Sequence, residues 1–205
     1  FKLDLTRPFK ISKDFHLELK TGGLVQQRGR TFTTRQFGYT QYTNNGLFFD
    51  ENLTKLPEDQ IFSAQNMGAL STGGGGFKLT EGSRPEDSYK ASSNLKAGYL
   101  MADFKHKEWF RAVIGARVEA YNQKLIYPDS KYLFNNKIVT KDTTVVDILP
   151  SANLIFALTD KQNIRLSYSK TLNRPEFREI APFGFYDFTT LFYTSGNDTL
   201  KRCQI

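Results

Sequence analysis

Few side chains in this sequence are spaced for catalysis or metal binding. The two histidines, His16 and His106, lie far apart in the chain, and the one cysteine is Cys203. A zinc site needs several Cys, His or acidic ligands close together, and a serine-type triad needs a histidine beside a nucleophile. The sequence offers neither pattern. We therefore expect no catalytic residues, no metal ligands and no bound cofactor, and we predict that the protein is not an enzyme.

A run of four glycines, Gly73–Gly76, is the one stretch that resembles a phosphate-binding loop in composition. Such a loop continues with Lys and Ser or Thr and follows a β-strand. Here the run continues with Phe77 and follows no predicted strand. The pattern therefore favours a flexible loop tip over a phosphate site.

Two neighbouring stretches carry the residues best suited to ligand contact. The charged stretch 174–179 favours an ion-pair network, with direct ligand contact as the alternative. The aromatic stretch 183–193 either packs to fold the chain inward or offers a stacking surface to an organic ligand, and packing is the commoner use of such residues. The candidate ligand contacts are Arg174, Glu176, Phe183, Phe185, Tyr186, Phe188 and Tyr193.

The composition restricts the class of protein. The 205 residues include 18 Phe and 10 Tyr, and 39% of all residues are hydrophobic. No apolar run is long enough for a transmembrane helix. The net charge of +7 is spread along the chain, without the basic cluster that nucleic-acid binding requires. We interpret the excess charge as turns, loops and a polar interior near an acidic lipid surface, with no nucleic-acid partner.

The elements that must position these side chains are β-strands, and the clearest pair covers residues 94–122. Every even position from Phe110 to Ala120 is apolar, whereas the odd positions are mostly charged, polar or small. Side chains alternate between the faces of a strand. We place the preceding stripe on the same apolar face, namely Leu95, Ala97, Tyr99 and Met101. This hairpin alone is typical of a membrane-spanning pair or of a soluble sheet.

The connections between the predicted strands decide between these two alternatives. Short turns at 10–14, 105–108 and 159–162 alternate with longer segments at about 38–88, 126–143 and 172–200. All short turns then lie at one end of the sheet, as in transmembrane β-barrels with long outer loops. Six strands and a possible seventh are too few to close a barrel. We therefore expect one partial barrel domain over 1–205, with Arg111, Arg117, Glu119 and Arg165 facing the lumen.

Several stretches resemble TonB-dependent outer-membrane receptors of the Bacteroidetes type: Ala97–Phe104, Ile114–Glu119, Asn163–Glu179, Ala181–Phe183 and Phe185–Phe188. The resemblance implies a 22-stranded barrel whose lumen is closed by an N-terminal plug. It also implies uptake driven by an energy-coupling protein of the inner membrane. The plug, the coupling segment, the closing strand and any targeting segment are expected outside this chain.

The sequence therefore predicts an all-β, antiparallel up-and-down meander of about six strands in the bacterial outer membrane. Its expected partners are outer-membrane lipid, the remaining strands and plug of the parent barrel, the inner-membrane coupling protein and an unknown ligand. The predicted function is ligand capture at the outer loops, followed by import. The alternatives are an adhesin or channel of another barrel class, or a soluble β-sheet binding module.

Overall fold

A computed structural model describes residues 1–43, 46–129, 137–187 and 189–205. The chain forms two units: the sheet unit, Phe1–Phe32 with Ser88–Ile205, and the inserted unit, Thr33–Asp87. Among the described residues, no helix is both long and apolar enough to cross a membrane. The strands and helices are β1 (Lys2–Lys10), β2 (Phe15–Thr33), β3 (Phe37–Gln41), α1 (Glu58–Ile61), β4 (Phe77–Glu81), β5 (Ser88–His106), β6 (Phe110–Pro128), β7 (Ile138–Thr159), β8 (Gln162–Ser169), β9 (Leu172–Asn173), α2 (Phe177–Ile180), β10 (Gly184–Asp187), β11 (Phe192–Ser195) and β12 (Cys203–Gln204).

Six strands form one sheet in the order β1-β2-β5-β6-β7-β8, which is the predicted antiparallel meander. The connections at 11–14, 107–109 and 160–161 are short and lie at the same end of the sheet. At that end, the backbone N–H of Lys107 donates to the carbonyl oxygen of Asp14 (2.7 Å). The longer connections lie at the other end. The predicted sorting of connections by length is confirmed.

In the half of the sheet nearest the short turns, one face is largely apolar and the other carries most of the charged residues. Residues that pair directly across strands share a face, so Ile114 lies beside Ala152, which lies beside Tyr168. Ile114 is 47% exposed. Exposed apolar residues on this surface, the Ile114 face, include Leu3, Leu5, Leu100, Val118, Ile148 and Leu166. The opposite surface, the Glu119 face, carries Arg111, Arg117 and Arg165 as well as Glu119. The predicted alternation of β6 is confirmed.

β5 is the strand whose faces the sequence pattern predicts wrongly. Its stripe of Leu95, Ala97, Tyr99 and Met101 pairs with Tyr121, Glu119, Arg117 and Gly115, so it lies on the Glu119 face. β5 carries apolar residues at both parities, including Leu100 on the Ile114 face, so hydrophobicity alone does not fix its phase. The pairing with β6 does. The Tyr99 hydroxyl then donates to Asp4 Oδ1 (2.7 Å), which gives its polar end a partner.

Polarity reverses in the far half of the sheet, which comprises 121–128 of β6 and the residues paired with them. Here Asn122 and Lys124 lie on the Ile114 face, and Leu125 and Tyr127 lie buried on the Glu119 face. Pairing extends to Pro128 and Ile138, so the predicted loop at 126–143 is shorter than expected. Residues 130–136 of that predicted loop lie outside the described residues. Partial burial of Val139 against the core explains why the strands extend this far.

The segment that covers this half is ordered. We call residues Arg174–Arg202 the covering segment. It contains α2 and the β10–β11 hairpin, so the predicted long loop at 172–200 has structure of its own. Its apolar residues join those of the sheet in one core, formed by Tyr89, Ala91, Leu125, Tyr127, Phe177, Ile180, Ala181 and Phe183. β12 pairs with β9 in a separate two-stranded sheet, so the possible seventh strand does not join the six-stranded sheet in the described part of the chain.

Aromatic side chains gather beside the short turns. Phe15 and Phe104 lie with ring centroids 6.3 Å apart, and Phe110 and Phe156 lie 5.1 Å apart. Trp109, on the β5–β6 turn, meets His106 edge to face at 5.9 Å. Such a row at the end of an apolar strand surface is typical of the aromatic girdle at a membrane interface.

The inserted unit is folded, although the sequence predicts an irregular loop at about 38–88. β3 pairs with β4, and short 3-10 helices cover Glu51–Lys55, Ala64–Asn66 and Pro85–Asp87. The Arg35 guanidinium donates two hydrogen bonds to the Glu81 carboxylate (2.9 and 2.7 Å). Residues 44 and 45 of the predicted turn lie outside the described residues.

The glycine run in this unit begins at the exposed Gly73, as predicted for a loop tip, but its end is packed, which the sequence did not predict. Gly75 and Gly76 are buried. A Cβ at Gly75 would lie 1.9 Å from the carbonyl oxygen of Tyr42, and a Cβ at Gly76 would lie 2.2 Å from that of Asn66. These two positions therefore require glycine because two backbone segments pass too closely for a side chain.

Candidate functional site

A cluster of buried ion pairs lies on the Glu119 face where the two halves of the sheet meet. Glu119 and Asp147 are direct partners on β6 and β7, and they are 7% and 3% exposed. Two carboxylates so placed repel each other and lose hydration, so they need cations nearby. Three arginines supply this charge: Arg117, Arg174 and Arg202.

Each arginine has a defined contact. Arg117 Nε donates to Glu119 Oε1 (2.6 Å), and Arg174 Nη2 donates to Glu119 Oε2 (2.6 Å). Arg202 Nε donates to Asp147 Oδ1 (2.8 Å). Arg174 also lies 3.6 Å from Asp147 Oδ2 and places its guanidinium 4.6 Å from the ring centroid of Tyr121. Arg174 therefore links both acids and an aromatic ring.

These contacts anchor the covering segment at both ends, because Arg174 begins it and Arg202 ends it. Between them, Glu176 forms a capping box with Glu179 at the start of α2. Glu176 also pairs with Arg28 of β2 (3.1 Å), and this pair is more than half exposed. The strand carboxylates thus hold a segment that lies far from them in sequence.

Beside the cluster, a pocket of about 280 Å³ lies between the covering segment and β6 and β7. Its lining combines apolar, aromatic and charged side chains, including Tyr121, Leu125, Lys141, Arg174, Ile180, Asp198, Lys201 and Arg202. Lys141 pairs with Asp198. Of the four basic residues in this lining, Lys141, Arg174 and Arg202 pair with acids.

Tyr127 and Asp198 close one side of this region. The Tyr127 hydroxyl donates to Asp198 Oδ2 (2.9 Å). Burial of the ring, together with this carboxylate acceptor, raises the pKa of Tyr127 to about 12. The hydrogen bond holds the loop that follows β11 against the end of β6.

The structure brings together only some of the predicted ligand contacts. Arg174 lines the pocket, whereas Phe183 is buried in the core against Phe32 (4.8 Å between centroids). Tyr186 and Tyr193 are exposed on the β10–β11 hairpin. The Phe185 side chain and Phe188 lie outside what the structure describes. Of the predicted lumen residues away from the cluster, Arg111 pairs with Asp103 (2.6 Å) and Arg165 contacts Asn163 (3.2 Å).

Sequence reasoning missed Asp147, Tyr127, Asp198 and Arg202. Asp147 carried a usable signal, because it is an isolated acid within the apolar stretch Val145–Leu149. A charge at that position of a buried strand calls for a partner. Asp198 and Arg202 gave no such signal because their partners lie more than fifty residues away.

The sheet, its apolar outer surface and its aromatic row define an all-β protein of the outer-membrane barrel class. The chain belongs to the outer membrane protein beta-barrel family, whose family model matches residues 63–201. This membership supports location in the bacterial outer membrane and contact with its lipid, as predicted, and it excludes the soluble module. Neither the curated proteins nor the solved structures include a significant match to this chain.

Proposed function

We propose that the chain is part of a TonB-dependent receptor that captures a ligand at its outer end and imports it through a larger, plugged barrel. The observation that carries this proposal is the pocket between the covering segment and the far half of the sheet. Pockets that combine apolar walls with a few convergent polar groups are the usual form of a small-molecule site. The sequence resemblance to this receptor class supports the same function.

In this proposal the Glu119 face lines the lumen. Its arginines and acids, including Arg111, Arg117 and Arg165, then meet water or the plug. The edge strands β1 and β8 pair with further strands of the parent barrel, because unpaired backbone groups in lipid cost several kcal/mol each. The ligand passes through without covalent change, and an inner-membrane coupling protein drives its passage.

Lys201 favours a ligand with an anionic group beside an apolar part, because the other basic residues of the lining pair with acids. Lys201 lines the pocket and is exposed, so it is the side chain best placed to meet such a group first. Arg174 and Arg202 already neutralise Glu119 and Asp147. Their proposed role is to hold the wall of the pocket in place.

Uptake by cells tests the proposal. Cells that produce the full-length parent protein would be supplied with fluorescent iron chelates, vitamins, peptides and glycans, with and without the coupling protein. We expect one class to accumulate only when the coupling protein is present. Lys201→Gln should weaken its binding, whereas Lys161→Gln, on a short turn, should not. Accumulation without the coupling protein would instead indicate a channel.

A second candidate is an adhesin-like barrel that binds a partner at its outer loops and imports nothing. The exposed aromatic residues of the β10–β11 hairpin favour it, since Phe192 and Tyr193 are 71% and 70% exposed. Surface binding without accumulation, lost on substitution of Phe192 by Ser, would support this candidate against the first. A plug domain encoded upstream in the parent gene would argue for import.

A further inference from the structure

A shallow, open groove of about 480 Å³ crosses the Ile114 face at the boundary between the two halves of the sheet. Its walls and floor are almost entirely apolar. They are formed by Leu3 of β1, Gly23 and Val25 of β2, Gly98 of β5, and Val118 and Ala120 of β6. One cation, Lys96, stands at its rim. The groove is remote from the pocket on the Glu119 face, because the sheet separates the two.

The groove exists because small residues occupy positions where the sheet has room for larger ones. A Cβ at Gly98 would have the carbonyl oxygen of Gly22 as its nearest contact, at 3.8 Å. A Cβ at Gly23 would meet only the carbonyl oxygen of Ala97, at 3.6 Å. Both distances are ordinary contacts, unlike those at Gly75 and Gly76. The backbone therefore does not require glycine here, and the space is open to another molecule.

The position of the groove follows from the change in polarity along the Ile114 face. In β6 this face is apolar from Phe110 to Ala120 and becomes polar at Asn122. In β7 it changes between Val146 and Thr144, at the same level. A tilted strand needs about 9–11 residues to cross a bilayer. The apolar band thus has the length of one membrane crossing, and the groove runs to its edge away from the short turns.

Lys96 stands at this edge, because it pairs directly with Ala120. Its side chain is exposed, and it forms no ion pair within the part of the chain that the structure describes. A lysine at a membrane boundary lays its methylene stem along apolar surface and keeps its ammonium in the headgroup region. There the available anions are the phosphates of lipid headgroups. Barrels of this class keep their short turns in the periplasm, so the edge meets the outer leaflet.

We propose that this groove binds an acyl chain of an outer-leaflet lipid whose phosphate headgroup pairs with Lys96. The apolar walls suit an acyl chain, and the glycines leave room for it. The Lys96 ammonium is opposite in charge to the phosphate and lies at the level of the headgroups. The site depends on the groove, on location in the outer membrane and on the orientation of the barrel, and it stands whether or not the barrel imports a ligand.

The test uses the full-length parent protein reconstituted in nanodiscs of mixed phosphatidylcholine and phosphatidylglycerol, with retained lipid counted by native mass spectrometry. We expect one retained lipid with a preference for anionic phosphatidylglycerol. Lys96→Gln should reduce that preference about fivefold, the effect of one basic residue near an anionic surface. The control Lys124→Gln removes the same charge further out on the same face and should leave the preference unchanged.

Filling the groove tests the acyl-chain half of the proposal separately. Gly98→Leu and Gly23→Val should abolish retention of lipid of either headgroup, whereas Ala102→Leu, on the same face of β5 but outside the groove, should retain it. Retention after both filling substitutions would overturn the proposal. So would an unchanged preference in Lys96→Gln. A third contradicting result is a second copy of the protein as the occupant, seen as dimers in the wild type that the filling variants dissociate.

Discussion

The two halves of β6 use the same strand geometry with opposite polarity. From Phe110 to Ala120, the apolar side chains face outward on the exposed Ile114 face and the charged ones lie on the Glu119 face. From Tyr121 to Pro128, the outward residues include Asn122 and Lys124, while Leu125 and Tyr127 are buried under the covering segment. One half follows the rule for a strand in lipid, and the other follows the rule for a strand in water.

The environment explains this reversal. In lipid, apolar side chains on the outer surface carry no free-energy penalty, whereas polar side chains find water and hydrogen-bond partners on the inner surface. In water, the same strand needs a covered apolar side, which the covering segment provides through Phe177 and Ile180. The cluster around Glu119 and Asp147 lies where the two halves of the sheet meet. Its ion pairs hold the covering segment against the sheet at this boundary.

The largest expected effect tests the water-exposed half. Leu125 is 2% exposed in the core, and Leu125→Ala should lower the free energy of unfolding by about 2–5 kcal/mol, because it removes buried methyl groups and leaves a cavity. Urea unfolding in vesicles measures the loss. Ile126→Ala changes the adjacent residue on the opposite face and should cost less. Equal losses would mean that the covering segment does not form a core.

A charge placed on the Ile114 face tests the membrane half. Ile114 lies near the middle of the apolar band, and Ile114→Arg should lower the free energy of unfolding by about 2–4 kcal/mol, the cost of a cation at the bilayer midplane. Asn122→Arg, beyond the band on the same face, should cost no more than about 1 kcal/mol. The same unfolding experiment compares the two variants. Equal costs at both positions would remove the boundary that we place between Ala120 and Asn122.

The sequence predicts the membrane half better than the far half, for physical reasons. In β6 the alternation from Phe110 to Ala120 is local, so one strand suffices to reveal both faces. β5 defeats the same reasoning because Leu95 and Leu100 have opposite parity, and only pairing with β6 decides which of them faces lipid. In the far half, Leu125 shares its core with Phe177, more than fifty residues later. No local pattern encodes that burial. The sequence predicts Arg174 as a candidate but does not reveal Asp147 as its partner.

Ion pairs in the covering segment allow a smaller test of the junction between the halves. Arg174→Ala leaves Glu119 and Asp147 with one arginine each, and we expect a loss of about 1–3 kcal/mol, the usual cost of an unsatisfied buried polar group. Arg28→Ala breaks the Arg28–Glu176 pair, which is more than half exposed, and should cost less than about 1 kcal/mol. A double-mutant cycle of Arg174→Ala with Glu119→Gln measures the coupling. Additive losses would show that the two residues do not act together.

The last prediction is a pH dependence of stability that arises at Tyr127 in the far half. Tyr127 has a pKa of about 12 in the fold against an ordinary value of 10.0, because burial and the Asp198 acceptor favour the neutral phenol. Below pH 10 both folded and unfolded chains keep the proton, so its contribution to stability is complete. Between pH 10 and 12 the unfolded chain loses the proton first, so stability should fall with rising pH.

Tyr127→Phe should lower the free energy of unfolding by about 1 kcal/mol at neutral pH. It should also remove the loss of stability that Tyr127 causes between pH 10 and 12, measured as the difference from wild type. Tyr168→Phe, at an exposed position on the Ile114 face, controls for the loss of a hydroxyl. An alkaline profile unchanged by Tyr127→Phe but altered by Tyr168→Phe would place the water-excluding core on the wrong face of the sheet.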